Sequence, residues 1–202
     1  SNYYALNGEF LSRLFSISAT AYINNLDNLI TSKQVALTET DIANSITKRM
    51  EYQNVDKARV KGVDISINSY LGYGVSLGGS YSFADAKDTN TDSRLPRSIK
   101  HSGSINSNWN KVWGFYTLNV NLAGRLQSER FETGTYGNAP GYQLWNLSTR
   151  HTFNNLTNCI LEPGIGIENI FNYRDDRPYN SNYATLSPGR TFYVSLLLKF
   201  RK

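Results

Sequence analysis

Cysteine is nearly absent: Cys159 is the only one in 202 residues. A single thiol excludes an internal disulfide framework. Long apolar runs are missing too, and nothing approaches the roughly 18 consecutive apolar residues of a membrane-crossing helix. That excludes a helical membrane protein but not a membrane barrel, whose alternating strands average out as polar; the mean hydropathy is −0.45. Basic clusters are scarce. The 21 Lys and Arg give a net charge of +5, but they are spread singly, with Lys48-Arg49 and Arg201-Lys202 the adjacent pairs. No nucleic-acid partner is expected from such a spread. No leader opens the chain, which begins inside a strand-like pattern at Ser1-Asn2-Tyr3-Tyr4, as expected for a piece of a longer protein.

What is present is alternation of period two, with 13% aromatic residues and 14 Tyr. Successive side chains of a strand point to opposite faces. Reading for that period gives about nine strands and no convincing helix. The first, near 3–11, sets Tyr4, Leu6 and Phe10 against Asn7 and Glu9. The second sets Phe15, Ile17, Ala19, Ala21 and Ile23 against Ser16, Ser18 and Thr20. The third, roughly 50–70, carries Val63, Ile65 and Ile67 opposite Asp64, Ser66 and Asn68. The fourth follows Gly72-Tyr73-Gly74 with Val75, Leu77, Tyr81 and Phe83 on one face. A weakly patterned fifth, about 98–109, ends at a tight turn expected at Asn110 and Lys111. The sixth has Tyr116, Leu118, Val120, Leu122 and Leu126 on one side, and a bulge or turn is expected near Gly114. The seventh carries Trp145, Leu147 and Phe153, and the eighth Leu161, Ile165, Ile167 and Phe171. The last, 191–200, places Phe192, Val194, Leu196, Leu198 and Phe200 opposite Thr191, Tyr193, Ser195 and Lys199.

Short turns alternate with long polar loops near 31–49, 85–98, 127–141 and 172–188. A soluble sandwich could also use the apolar faces, but it has no reason to gather every long loop at one end. An outer-membrane barrel does, with short turns toward the periplasm and long loops outside. Aromatics near the short turns (Phe10, Phe15, Tyr70, Tyr73, Trp109, Trp113, Phe115, Phe153 and Phe200) would then form an interfacial girdle. The expected fold is all-β, an antiparallel up-and-down transmembrane β-barrel wall.

Specific segments carry a resemblance. Glu168-Asn-Ile-Phe-Asn-Tyr173, a polar loop, then Ser187-Pro-Gly-Arg-Thr-Phe192 and a terminal aromatic strand resemble the C-terminal end of TonB-dependent outer-membrane receptors. So do Lys61-Gly-Val-Asp64 and Tyr81-Ser-Phe-Ala-Asp-Ala-Lys87 with Leu95-Pro96 and Lys100-His101 after it. The resemblance implies that the chain is the C-terminal part of a barrel of about 22 strands, without the plug domain that fills such barrels. It further implies a Gram-negative outer membrane, lipid around the wall, the plug and TonB as partners, and a siderophore, cobalamin, haem or glycan as substrate, met by the four long loops. It also implies an assembly signal for the barrel-assembly machinery at Tyr193, Leu198 and Phe200, although Leu198 stands where an aromatic is usual and Arg201-Lys202 trail beyond.

Other constellations are weaker. His101 beside Ser102 and Ser104, or His151, would be needed for an outer-membrane hydrolase, but no G-x-S-x-G elbow exists. The two histidines and Cys159 lack metal-ligand spacing. Asp88-Thr-Asn90-Thr-Asp92 opens like a calcium loop but has Ile99 where the closing acid belongs. Asn146-Leu-Ser148 falls on a strand and reads as a chance glycosylation pattern. Arg174-Asp175-Asp176-Arg177 reads as loop ordering through salt bridges, with contact to a charged ligand as its rival. No cofactor is expected. A small self-contained porin or adhesion barrel is the second reading of the fold. A piece with unpaired first and last strands would associate through its edges.

Overall fold

The computed structural model describes residues 1–132, 137–156, 158–175, 185 and 187–200, and only the backbone at 28–29, 31–34 and 53–56. Nine strands form one antiparallel sheet in sequence order: β1 Asn2–Leu11, β2 Phe15–Val35, β3 Arg49–Gly72, β4 Val75–Asp88, β5 His101–Trp113, β6 Tyr116–Gln127, β7 Tyr142–Phe153, β8 Cys159–Glu168 and β9 Thr191–Phe200. The connections at 12–14, 73–74, 114–115 and 154–158 are short and lie at one end. Those at 36–48, 89–100, 128–141 and 169–190 are long and lie at the other.

The register keeps every apolar set on one face. Phe10 faces Ile17 and Ile17 faces Ile67. Ile65 faces Tyr81, Trp109 faces Val120, Leu122 faces Leu147, and Leu147 leads through Ile167 to Phe192. This face meets no second layer. Leu6 is 77% exposed, Val194 80% and Phe200 78%, and Ala58 and Ala139 are the buried apolar side chains among the described residues. Each such large side chain is worth about 1.5–3 kcal/mol when removed from water. Summed over nine strands, that demands an apolar medium. A two-sheet sandwich would supply it from a facing sheet, and the described residues contain none.

Aromatics collect at the short-turn end of this face. Trp109 meets Trp113 edge-on at 6.3 Å, Trp113 stacks on Tyr116 at 5.7 Å, and Tyr116 lies 5.1 Å from Phe153. Phe10 and Phe15 form a separate pair at 5.6 Å. Tyr70 does not join them. The irregularity between Tyr70 and Gly72 follows its pairing with Ser76, and Ser76 pairs with Asn108, so Tyr70 falls on the polar side.

Three sequence expectations are corrected. The β5–β6 turn is at Gly114 and Phe115 rather than at Asn110 and Lys111, which pair in the ladder with Asn119 and Leu118. Gly114 has φ 58°, a left-handed conformation that glycine adopts without a Cβ penalty. Strand β2 also runs five residues into the expected 31–49 loop, to Val35, which pairs with Arg49 at the start of β3. Finally, that loop contains a short helix, α1 Glu39–Ala43, where no helix was expected. A tilted strand needs about 9–11 residues to cross a bilayer, so the 21 residues of β2 and 24 of β3 overshoot at the long-loop end.

Close packing within the sheet leads to a prediction. A Cβ on Gly62 would meet the ring of Tyr22 and sit 2.6 Å from the Phe83 carbonyl oxygen, whereas one on Gly8 would meet nothing within 4 Å. Gly62→Ala is expected to lower stability by about 1–3 kcal/mol and Gly8→Ala by far less, compared by urea unfolding of the two variants refolded in lipid.

Candidate functional site

The polar face is a wall of short hydroxyls and amides bonded to one another across strands. Thr20 Oγ1 donates to Asn7 Oδ1 at 3.2 Å, and the Ser18 and Ser66 hydroxyls are 2.9 Å apart. Ser82 Oγ donates to Asp64 at 2.5 Å, and the Ser80 and Ser104 hydroxyls are 2.7 Å apart. Asn108 and Asn119 exchange two amide bonds of 3.2 and 3.1 Å. Directly opposed polar pairs of this kind stabilise register. They also leave a neutral surface with free lone pairs, suited to polar solutes. Its charged members lie among them: Glu9, Asp64, Arg125, Arg150, Glu168, and Glu162, whose Oε1 accepts from Lys199 Nζ at 2.8 Å.

At the long-loop end the connections are ordered by their own contacts. Thr38 and Asp41 form a capping box on α1, which satisfies backbone N–H groups that the helix cannot. The Thr38 side-chain and backbone hydrogen bonds, helped by Arg49, hold the Asp41 carboxyl below its ordinary range. Arg49 bridges Asp41 at 3.2 Å and Glu51 at 2.8 Å.

The connections 89–100 and 128–141 interlock. Ile99 bridges Arg130, and Arg130 bridges Ala139. The Arg97 amide donates to the Phe131 carbonyl at 2.7 Å, and the Phe131 amide to the Ser98 carbonyl at 2.9 Å. The Arg94 guanidinium lies 5.3 Å over the Phe131 ring and 3.6 Å from Glu129, and it donates to Ser98 at 3.1 Å. The two loops therefore present one platform.

The β8–β9 connection turns on Asn169, which is 3% exposed. Its amide N–H donates to Asn146 Oδ1 at 2.9 Å. Its side chain donates to the Tyr173 carbonyl at 2.7 Å and to Ser187 Oγ at 2.9 Å, and accepts from the Tyr173 amide at 2.8 Å. Asn172 Oδ1 accepts from the Arg190 amide at 2.9 Å, and Arg190 Nε donates to the Ile170 carbonyl at 2.9 Å. Both asparagines are left-handed, with φ 52° and 55°, a region that Asn tolerates better than most residues. The motifs around 168–173 and 187–192, far apart in the chain, thus close the base of one loop.

The structure separates several residues that the sequence put forward together. Leu198 and Phe200 lie on the apolar face of β9, paired with Leu161 and Cys159. Tyr193 is on the other face, over Gly166. Among the described residues neither histidine meets a serine hydroxyl through its ring. His101 Nδ1 is 2.7 Å from Tyr81 Oη, and His151 Nδ1 is 2.7 Å from Tyr116 Oη, with its Nε2 3.3 Å from Thr149. A serine hydrolase needs its base on the nucleophile, so this geometry does not favour that reading. Asp88 caps the amides of Asn90 and Thr91, and Asp92 takes Lys87 at 3.0 Å. Asn146 is used by Asn169. Of the 174–177 cluster, Arg174 rests against Gly189, while Asp176 and Arg177 lie outside the described residues, as do 133–136, 176–184 and 186 of the loops and Arg201-Lys202. Sequence reading missed Asn169 and Arg94, although the paired asparagines of Glu168-Asn-Ile-Phe-Asn172 were a signal for a left-handed turn.

Asn169→Ala removes the three side-chain bonds and puts Ala at a left-handed φ that Asn tolerates better. It is expected to cost about 1–3 kcal/mol and to speed hydrogen exchange at the Tyr173 amide, read by mass spectrometry; unchanged protection there would show that the loop is anchored elsewhere.

A family model described as "TonB dependent receptor-like, beta-barrel" matches residues 1–172. Solved structures of the same fold include the ferric preacinetobactin receptor of Acinetobacter baumannii, with a TM-score of 0.68, 15% identity, and coverage of 96% of this chain and 28% of that one. The copper transporter OprC gives a TM-score of 0.70 and 15% identity over 95% of this chain and 30% of its own. A mutant of the ferric enterobactin receptor from Pseudomonas aeruginosa, in complex with enterobactin, gives 0.67 and 21% over 96% and 30%. The chain therefore spans less than a third of the length of these structures.

Proposed function

The chain belongs to the TonB-dependent receptor β-barrel family, and from that premise we propose that it is the C-terminal wall of an outer-membrane receptor for TonB-dependent uptake of a scarce nutrient. The observation that carries this reading is the sheet itself. One predominantly apolar face, an aromatic cluster at the short-turn end and all four long connections at the other end suit a lipid-facing wall with its loops outside. In this reading the polar face lines the lumen, beside a plug domain contributed by the rest of the protein. Pulling on that plug by TonB would admit the substrate. Short neutral donors and acceptors along the wall suit a polar small molecule, of the siderophore, cobalamin, haem or glycan class, that must slide past without tight capture. The platform of 89–100 and 128–141 would meet the substrate first.

The alternatives fit less well. A self-contained porin or adhesion barrel needs β1 and β9 to pair, and the sheet order leaves both as edges. A hydrolase needs a histidine on a serine.

Orientation is directly testable in the whole receptor. An epitope inserted at Asn90 is expected to bind antibody on intact cells, and one inserted between Gly114 and Phe115 only after permeabilisation. The reverse pattern would turn the barrel over and sink the assignment of the loops.

Phe200 is proposed as part of the signal read by the barrel-assembly machinery. Phe200→Ala should lower the amount of heat-modifiable receptor in outer-membrane fractions several-fold, while Tyr193→Ala, altering the polar face, should lower it less. Equal surface levels of all three proteins would remove the signal from this strand.

A further inference from the structure

On the apolar face, at the long-loop end, two clefts meet at one lysine. The lower is a groove of about 450 Å³ between Tyr4, Leu6, Ala21, Ile23, Val63 and Phe83. It exists because Ala21 is small and sits between larger neighbours: Leu6 pairs with Ala21 and Ala21 with Val63. Lys61 lines the top of that groove and also the upper cleft of about 380 Å³, which it shares with Arg59, Asp85 and Lys87.

Asp88 and Asp92 also line the upper cleft, so its three cations face three carboxylates, but they do not pair one to one. Lys87 is held by Asp92 at 3.0 Å. Asp85, opposite Lys61 in register, has its ion pair with Lys100 at 3.9 Å instead. Asp88 accepts two backbone amides. Arg59 donates to the neutral Asn25 amide at 2.7 Å. Arg59 and Lys61 are both exposed, and neither meets a carboxylate among the described residues. They are two apart on β3, hence on the same face, directly above an apolar groove.

We infer that Arg59, Lys61 and the groove beneath them form a site for a phosphate-bearing, acylated lipid of the leaflet on the long-loop side. Two cations without carboxylate partners match a phosphate headgroup, and the groove matches an acyl chain running down the wall. A soluble anion would use the cations and leave the groove empty. A docked protein would have to cover a face that the wall turns toward lipid. The inference rests on the proposed orientation of the barrel, and it adds a ligand of defined chemistry to a particular stretch of the wall.

The test is native mass spectrometry of the whole receptor in detergent, titrated with lipid A, with lipid A stripped of its phosphates, and with inorganic phosphate. Each Lys or Arg near an anionic lipid surface contributes about fivefold in affinity. The double variant Arg59→Ala/Lys61→Ala should therefore hold lipid A on the order of tenfold or more less tightly than the parent, and the stripped lipid should bind the parent about as weakly. Ala21→Leu, which fills the groove and keeps both cations, should also weaken binding. Lys111→Ala, a cation removed at the short-turn end of the same face, should leave binding as it was. Undiminished binding by the double variant would overturn the site, and so would an equal loss in Lys111→Ala. Displacement of lipid A by millimolar inorganic phosphate would reduce the site to a plain anion site and overturn the role of the groove. Failure of the parent to insert into bilayers at all would instead refute the reading of the protein as a membrane barrel.

Discussion

Backbone hydrogen bonding in register is the constraint on which the rest of this protein depends. A strand has period two, so a slip of one residue would carry its whole apolar set to the opposite face. Here that error is excluded eight times over, because each pair of neighbouring strands fixes the next. The same pairing answers a second demand. In an apolar medium every backbone N–H and C=O must find a partner within the protein, and a continuous antiparallel sheet provides one for each interior strand. The apolar face can then be exposed without a core, because the medium takes the place of one.

The polar face follows from the same register. Residues that must be small for neighbouring rings to lie flat over the sheet, such as Gly62 under Tyr22 and Gly166 under Tyr193, alternate with hydroxyls and amides that bond sideways. The histidines obey this logic on the apolar side. Each has a tyrosine hydroxyl as partner, so two polar groups that would be costly alone are satisfied together. This accounts for their presence on that face.

Much of this was legible in the chain. The alternation of Phe15, Ile17, Ala19, Ala21 and Ile23, repeated from strand to strand, identified the apolar face, and the strict alternation of short and long connections separated its two ends. The rest was hidden for physical reasons. Asn110 and Lys111 look like turn residues, but ladder partners in Asn119 and Leu118 and the left-handed freedom of Gly114 move the turn outward. The extension of β2 was invisible because Thr31-Ser-Lys-Gln34 is polar on both faces, as a strand in water is permitted to be. Asn169 could not be read as an anchor since Asn146, Tyr173 and Ser187 come to it only through the fold. Tyr70 was misjudged because closeness to a turn does not set the face: alternation places it with Asp64, Ser66 and Asn68 on the polar side.

The overshoot has a mechanical consequence. Strands β2 and β3 hold one register from Phe15 with Ser69 to Val35 with Arg49, so the hairpin continues the wall into its own tip. It is a cantilever. A force applied near α1 is transmitted along two hydrogen-bonded beams to the rows that carry Ser18, Ser66 and Asp64, instead of being absorbed by a soft loop. Whatever touches the tip therefore acts, by leverage, on the polar surface far below it.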